Sequence, residues 1–365
     1  MKMFNKKETG MRVEESLLGN KPKHNSTKKI VLPVMLGVLA LVLVLATAIG
    51  AVYVPFGETA RIILKNIGIL KNTAFHEGHE EIIFYVRFPG VLVAALVGAG
   101  LATSGTVMQG MFRNPMADPG ILGVSSGAGL GAVIAIALGL NSKSIFFLPV
   151  FAAIGALAAS YTVFRLSKRG GKIPVLTLVL SGIAVSMFLG AMTSIALTTI
   201  HGDQIKEYLF WTTGGLTARR WEHVAMAVIP IIACIAMILA YSRDLNILLL
   251  GEEEAQAVGL NSTKTRKILL VLTSITTAAA VSVSGNISFV GLIVPHIMRL
   301  IVGPDHRILI PVSAVGGSIF LVVCDLIARV IPNPRGIGVG IITSLIGAPY
   351  FLFLLVRTRK GGDAI

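Results

Sequence analysis

The chain has 365 residues and a formal net charge of +14, yet 54% of its residues are hydrophobic and only 14% are charged. An ordinary globular domain carries roughly 25% charged residues, so a wholly water-exposed surface is excluded and the solvent must be largely lipid. Nucleic acid is not implied by the positive charge, because eight Lys/Arg lie in the first 29 residues and others gather at 165–172, 264–267 and 357–360; this is the distribution of cytoplasmic segments around membrane spans.

A basic tail, residues 1–29, precedes the first apolar run at 30–53. Ala46-Thr47-Ala48 has the small-x-small form of a signal-peptide cleavage site, but the run is too long and lies too far into the chain. It reads as an uncleaved first span. Further runs at 88–112, 120–140, 146–166, 174–199, 222–242, 267–284, 288–302, 308–331 and 337–356 approach the length of about 20 residues that a bilayer core requires. The expected architecture is all-α and polytopic, with ten spans in residues 30–357 and a short tail at 358–365. An even number of spans puts both termini on one side, and the basic tails make that side the cytoplasm. On this topology 22 of the 32 Lys/Arg fall inside and 10 outside.

Between the first two spans, "HEGHEE" (76–81) holds two imidazoles and adjacent carboxylates that suit zinc. Gly78 weakens the helical turn that would unite them, so a solvated acidic loop is expected and no metal site. "RNPMADPGILGVSSGAGLGA" (113–132) enters the third span through two prolines and five glycines. Broken backbone at membrane depth is tolerated only against protein or a water-lined cavity. Gly123, Ser125, Ser126 and Gly127 therefore either line a pathway or serve close helix packing. Pro295, His296 and Arg299 interrupt the eighth span, and Asp325 and Arg329 lie four apart in the ninth. Spans two to five and seven to ten each pair a long span with a broken, Gly-rich second element, as inverted repeats do in transporters. Cys234 and Cys324 fall inside apolar runs and imply no disulfide.

No phosphate loop is present: Gly170-Gly171-Lys172 is followed by Ile173, not by the Ser/Thr a nucleotide site needs. A G-x-S-x-G elbow and an H-E-x-x-H helix are missing as well. The densest acidic stretch is "GEEEAQAVGL" (251–260). Glutamates in a first turn complement the helix dipole, Gly259 suits a C-terminal cap, and Ala255 and Val258 fall on one small apolar face. A short cytoplasmic docking helix is expected there, not an acid/base pair, which would need a cleft and opposed environments.

At these residues the sequence resembles the FecCD-type permeases, the transmembrane subunits of ATP-binding-cassette importers for iron–siderophore, haem and cobalamin. The motifs are "RFP" (87–89), "SGTVMQGMFRNPMADPGILGVSSGAGLG" (104–131), "GEEEAQAVGL" (251–260), "SFVGLIVPHIMRLIVGPDHR" (288–307) and "IGVGIITSLIGAPYFLFLL" (337–355). The resemblance implies a type II importer fold in a bacterial plasma membrane and a non-catalytic chain that binds no cofactor. It also implies a second permease subunit, identical or homologous, two cytoplasmic ATPase subunits and an extracytoplasmic binding protein. It places Gly251, Glu252, Glu253, Glu254, Ala255, Val258 and Gly259 in the coupling helix that rests on the ATPase. Arg87 and Arg329 match positions that meet glutamates of the binding protein. Gly90 stands where the family often has a further arginine, with Arg335 nearby as a substitute. The cargo implied is an iron chelate, ferric siderophore first as the family's commonest, with haem and cobalamin next. The competing class is an ion- or proton-coupled secondary transporter, which needs ionisable groups near the midplane of several spans.

Overall fold

A computed structural model describes residues 24–50, 52–71, 75–76, 78–168, 173–331 and 337–360, and every regular element in it is a helix. In chain order these are α1 (His24–Ala48), α2 (Phe56–Asn66), a π turn (Glu81–Arg87), α3 (Phe88–Phe112), a 3-10 turn (Pro119–Leu122), α4 (Val124–Ala137), α5 (Phe147–Ser167) and α6 (Val175–Thr199). Then follow α7 (Gly202–Thr212), α8 (Trp221–Ala240), α9 (Ser242–Leu248), α10 (Glu252–Ala257), α11 (Ser262–Ser284), α12 (Val290–Val302), α13 (His306–Val330) and α14 (Val339–Lys360). Seven helices are long and apolar enough to cross a membrane, and α4, α12 and the first part of α14 are shorter apolar helices. The ten expected spans therefore all appear as apolar helices. Their ends differ: α1 begins before residue 30 and stops at Ala48, while α2 and α7 occupy stretches read as connecting loops.

Three helices form the core. In α11, α13 and α3 the apolar windows are 78%, 61% and 56% buried, against 11% in α1 and 17% in α6. The centre is built on backbone contact, since a Cβ on Gly98 of α3 would run into the Gly317 carbonyl of α13, and one on Gly317 into Gly98. Lipid offers no hydrophobic force between helices, so close approach of small residues supplies the dispersion contact that holds them. The same device joins α4 to α5, where Gly127 and Gly155 face each other.

The two broken segments share a form. α4 starts after Gly123 at φ 72 and α12 after Phe289 at φ 69, both left-handed. The second break lies against the first: a Cβ on Gly291, at the start of α12, would come within 3.2 Å of Pro119 Cδ just before α4, and one on Gly105 of α3 would run into the Gly291 carbonyl. The long helices that precede the two breaks run in opposite directions, since α3 ends and α11 begins near α10, the relation that an inverted repeat requires.

Within α12 the break expected at Pro295 is absent; the helix runs through it. Proline lacks the N–H that would bond the carbonyl four residues back, which here is Gly291. The side chain of Gln109, from α3, donates its Nε2 to the carbonyls of Leu292 (3.0 Å) and Gly291 (3.4 Å). Arg299 in turn donates to Gln109 Oε1 at 2.9 Å. A buried amide thus satisfies the orphaned backbone and an otherwise costly cation together.

Candidate functional site

The acidic stretch folds as expected into a short helix, α10, entered through Gly251 at φ 141 and left through Gly259 at φ 81. Both angles favour glycine. The Gly259 N–H donates to the Gln256 carbonyl (2.9 Å) and the Leu260 N–H to Ala255 (2.9 Å), which closes the helix end. Glu253 and Glu254 are exposed, while Gly251 is buried.

The expected common face of Ala255 and Val258 does not form. Ala255 is fully buried, whereas Val258 is 64% exposed and Leu250, just before the helix, 65% exposed. The i, i+3 rule holds only while the helix continues, and α10 ends at Ala257, so the chain turns Val258 outward. Ala255 is therefore turned into the bundle, and the exposed apolar groups at this tip are Leu250 and Val258.

Behind α10 the chain is tied to the membrane helices by polar bonds. Arg113, in a left-handed conformation (φ 48) at the end of α3, donates Nε to the Leu248 carbonyl at 3.2 Å. Asn246 of α9 donates Nδ2 to Asp305 Oδ1 at 2.7 Å. Its Oδ1 accepts from the His306 N–H at 2.9 Å and lies 2.8 Å from His306 Nδ1. Asp305 also accepts from the Arg307 N–H at 3.0 Å, capping α13. Burial works to raise the Asp305 carboxyl, but the bonds from Asn246 and Arg307 outweigh it and hold the group below the usual carboxylate range. Sequence reading missed Gln109, Arg113, Asn246 and Asp305. Their only signal was polarity, inside an apolar run for Gln109 and next to one for the other three.

At the opposite end, both predicted docking arginines make internal bonds. Arg87 donates to the carbonyls of Ala48 (2.8 Å), Thr47 (3.3 Å) and Val52 (2.6 Å). Arg329 donates to the Ala46 carbonyl (3.0 Å) and pairs with Asp325 at 2.9 Å, with the Asp325 side chain 6% exposed. The last carbonyls of a helix have no partners of their own, so two guanidinium groups close the end of α1. Gly90 lies against the Leu216 carbonyl, and Arg335 lies outside the described residues. Arg219 is spent on the Gly215 carbonyl (2.8 Å), with burial lowering its pKa to about 10. Its neighbour Arg220 is exposed, a guanidinium that sequence reading passed over in "RRWEH".

The acidic loop also folds inward. His79 Nδ1 lies 3.1 Å from Glu58, which accepts from the His76 N–H (2.8 Å), and Glu80 pairs with Lys65 at 2.9 Å. Glu77 falls outside the described residues, and among those described no three His, Cys, Asp or Glu side chains cluster as a metal site.

Of the residues read as lining a pathway or serving packing, Gly123 turns the chain into α4 and Gly127 sits on Gly155, a packing role for both. Ser125 and Ser126 are half-buried. Gly127 also borders an apolar cavity of about 430 Å³ between α4, α5 and α6.

The FecCD transport family profile matches residues 38–357. The chain is 48% identical to the cobalamin import system permease protein BtuC of Halobacterium salinarum, over 78% of this chain and 75% of that one. It is 42% identical to the hemin transport system permease protein HmuU of Yersinia pestis, over 80% and 88%. A solved metal-chelate type ABC transporter in an inward-facing conformation superposes with a TM-score of 0.77 at 30% identity, covering 90% of this chain and 99% of that one.

Proposed function

The chain belongs to the FecCD transport family, the membrane permeases of ATP-driven importers for iron chelates, haem and cobalamin, and from that premise we propose how its two ends divide the work. It has no catalytic role, binds no cofactor, and transports as one of two permease subunits. Both termini and the α9–α10 segment face the cytoplasm, where a pair of ATPase subunits grips α10. The extracytoplasmic binding protein docks at the α2 end.

One observation carries the reading: the α9–α10 segment turns Leu250 and Val258 outward and buries Ala255, while Arg113 and Asn246 tie the segment to α3 and to the Asp305 cap of α13. Exposed aliphatic side chains on a charged tip suit burial against a partner. Polar bonds to two core helices suit the transmission of movement, since rocking of packed helices about an interface is how such bundles switch access. Arg87 and Arg329 then act at the α2 end mainly by holding α1, and Arg220 offers a charge to acidic groups on the binding protein.

The cargo is a metal chelate. Relatedness to the cobalamin permease puts a corrinoid first, and the ferric siderophore suggested by the family's commonest cargo second. The test is ATP-dependent uptake of labelled cyanocobalamin, haemin and ferric hydroxamate in a strain lacking its own importers, complemented with the whole operon. Uptake of one chelate that stops when this chain is deleted supports the reading. Uptake that continues without ATP and follows a proton gradient contradicts it.

A further inference from the structure

A groove of about 470 Å³ opens on the outer face of the bundle between α5 and α11, with Leu122 and Leu178 behind it. Its walls are mostly hydrocarbon: the two serine hydroxyls that line it are already used, Ser160 donating to the Ala156 carbonyl (3.1 Å) and Ser274 to the Leu270 carbonyl (2.8 Å), and the third hydroxyl, of Tyr161, belongs to an exposed side chain on the rim. Three cations, Arg165, Lys168 and Lys267, stand at the end of the groove nearest α10, and no carboxylate lines it. All three are exposed, and the Lys267 ammonium is held at the mouth 6.0 Å above the Phe164 ring. From Leu157 to Lys168 the α5 wall runs about 17 Å at 1.5 Å per residue.

The groove is therefore apolar along its length and cationic at one end, and that end lies at the edge of the membrane-spanning helices. Tyr161 and Val271 on its rim are exposed at 64% and 46%, so it opens toward lipid. Positive-inside bias accounts for cations at this end of the bundle, but not for their convergence on the mouth of a hydrocarbon slot. We infer that this groove is a binding site for an anionic phospholipid, with one acyl chain along α5 and α11 and the headgroup phosphate held by Arg165, Lys168 and Lys267. Both parts of the ligand are matched by charge and by depth, as in basic pockets between transmembrane helices that take anionic headgroups.

The test uses the full-length chain purified in a neutral detergent and stripped of lipid, with native mass spectrometry and thermal unfolding as readouts. Phosphatidylglycerol is expected to bind at least about tenfold more tightly than phosphatidylcholine and to raise the unfolding midpoint. The R165Q/K168Q/K267Q variant, which keeps Arg113, Lys264, Arg266 and Arg307 at the same end, is expected to lose that preference. V271W, which leaves every cation in place but obstructs the slot, is expected to lose it too. Three results would overturn the site: equal binding of both lipids by the unaltered chain, a preference that survives in either variant, or stabilisation by inorganic phosphate alone that matches phosphatidylglycerol. None depends on which chelate the importer carries.

Discussion

The two ends of this bundle carry their charged groups for opposite purposes. At the α2 end Arg87 and Arg329 face inward and close the carbonyls that α1 leaves open. At the α10 end Glu253, Glu254, Leu250 and Val258 face outward, and the polar bonds lie behind them. A charge count assigns each group to an end of the bundle but cannot distinguish a free charge from one already bonded. That distinction decides which substitutions harm folding and which harm partnership.

The largest effect should come from breaking the arginine cap. Arg329→Ala strands the buried Asp325 carboxylate, and loss of one partner of a buried pair costs about 3–5 kcal/mol. Arg87→Ala removes charged hydrogen bonds worth about 1.5–3 kcal/mol each, offset by its greater access to water. Thermal unfolding in detergent checks both; melting of Arg329→Ala at the unaltered temperature would leave the arginines free for docking alone.

Next is the link behind α10. Asn246→Asp sets two carboxylates against each other, whereas Asn246→Asp with Asp305→Asn restores a donor and an acceptor and keeps the α13 cap. In proteoliposomes holding the complete importer, the single variant should move about tenfold less cargo per ATP hydrolysed, corresponding to loss of about 1.4 kcal/mol of coupling. The double variant should recover most of it. Failure of the double variant to recover would reduce Asn246 to a packing residue.

A smaller effect is expected at the exposed tip. Leu250→Asp and Val258→Asp should each weaken co-purification with the ATPase by about tenfold, since truncating a central contact costs on the order of 1–2 kcal/mol, while leaving the unfolding temperature within the range of ordinary surface changes. Ala255→Leu should do the reverse, lowering stability first, because Ala255 is buried. Glu253→Gln should change neither.

The smallest effect concerns pH at the α2 end. The His76 N–H bond, aided by His79, holds the Glu58 carboxyl below its ordinary value, and bonds from Lys65 and Asn66 do the same for Glu80. A depressed carboxylate stabilises the fold above its unfolded pKa of about 4.3 and loses that contribution as pH falls through the folded value. Hydrogen exchange in α2, taken relative to the intrinsic amide rate at each pH, should therefore rise below about pH 4.3 while that in α11 stays flat. A rise shared equally by both helices would assign it to the whole fold.

Much of the fold was legible because lipid imposes one rule on every span: long apolar runs must be helices. Helix ends were less legible. Residues 49–53 continue the apolar run, and the two arginines that take the last carbonyls of α1 are too distant in sequence for a hydropathy pattern to show where the helix ends. Pro295 was read as a break because sequence alone could not supply Gln109, an amide 186 positions away, as the replacement donor. The short helix α10 was legible from glycine and glutamate, but which of its side chains face outward was not. A helical wheel assumes that the helix continues, and α10 ends one residue before Val258.

The most direct test of the account is site-specific photo-crosslinking within the assembled importer, with a photoreactive residue at position 250, 255 or 258 in turn. The account predicts crosslinks to the ATPase subunit from 250 and 258, and from 255 only to the permease itself. Crosslinks to the ATPase from 255 but not from 258 would contradict it.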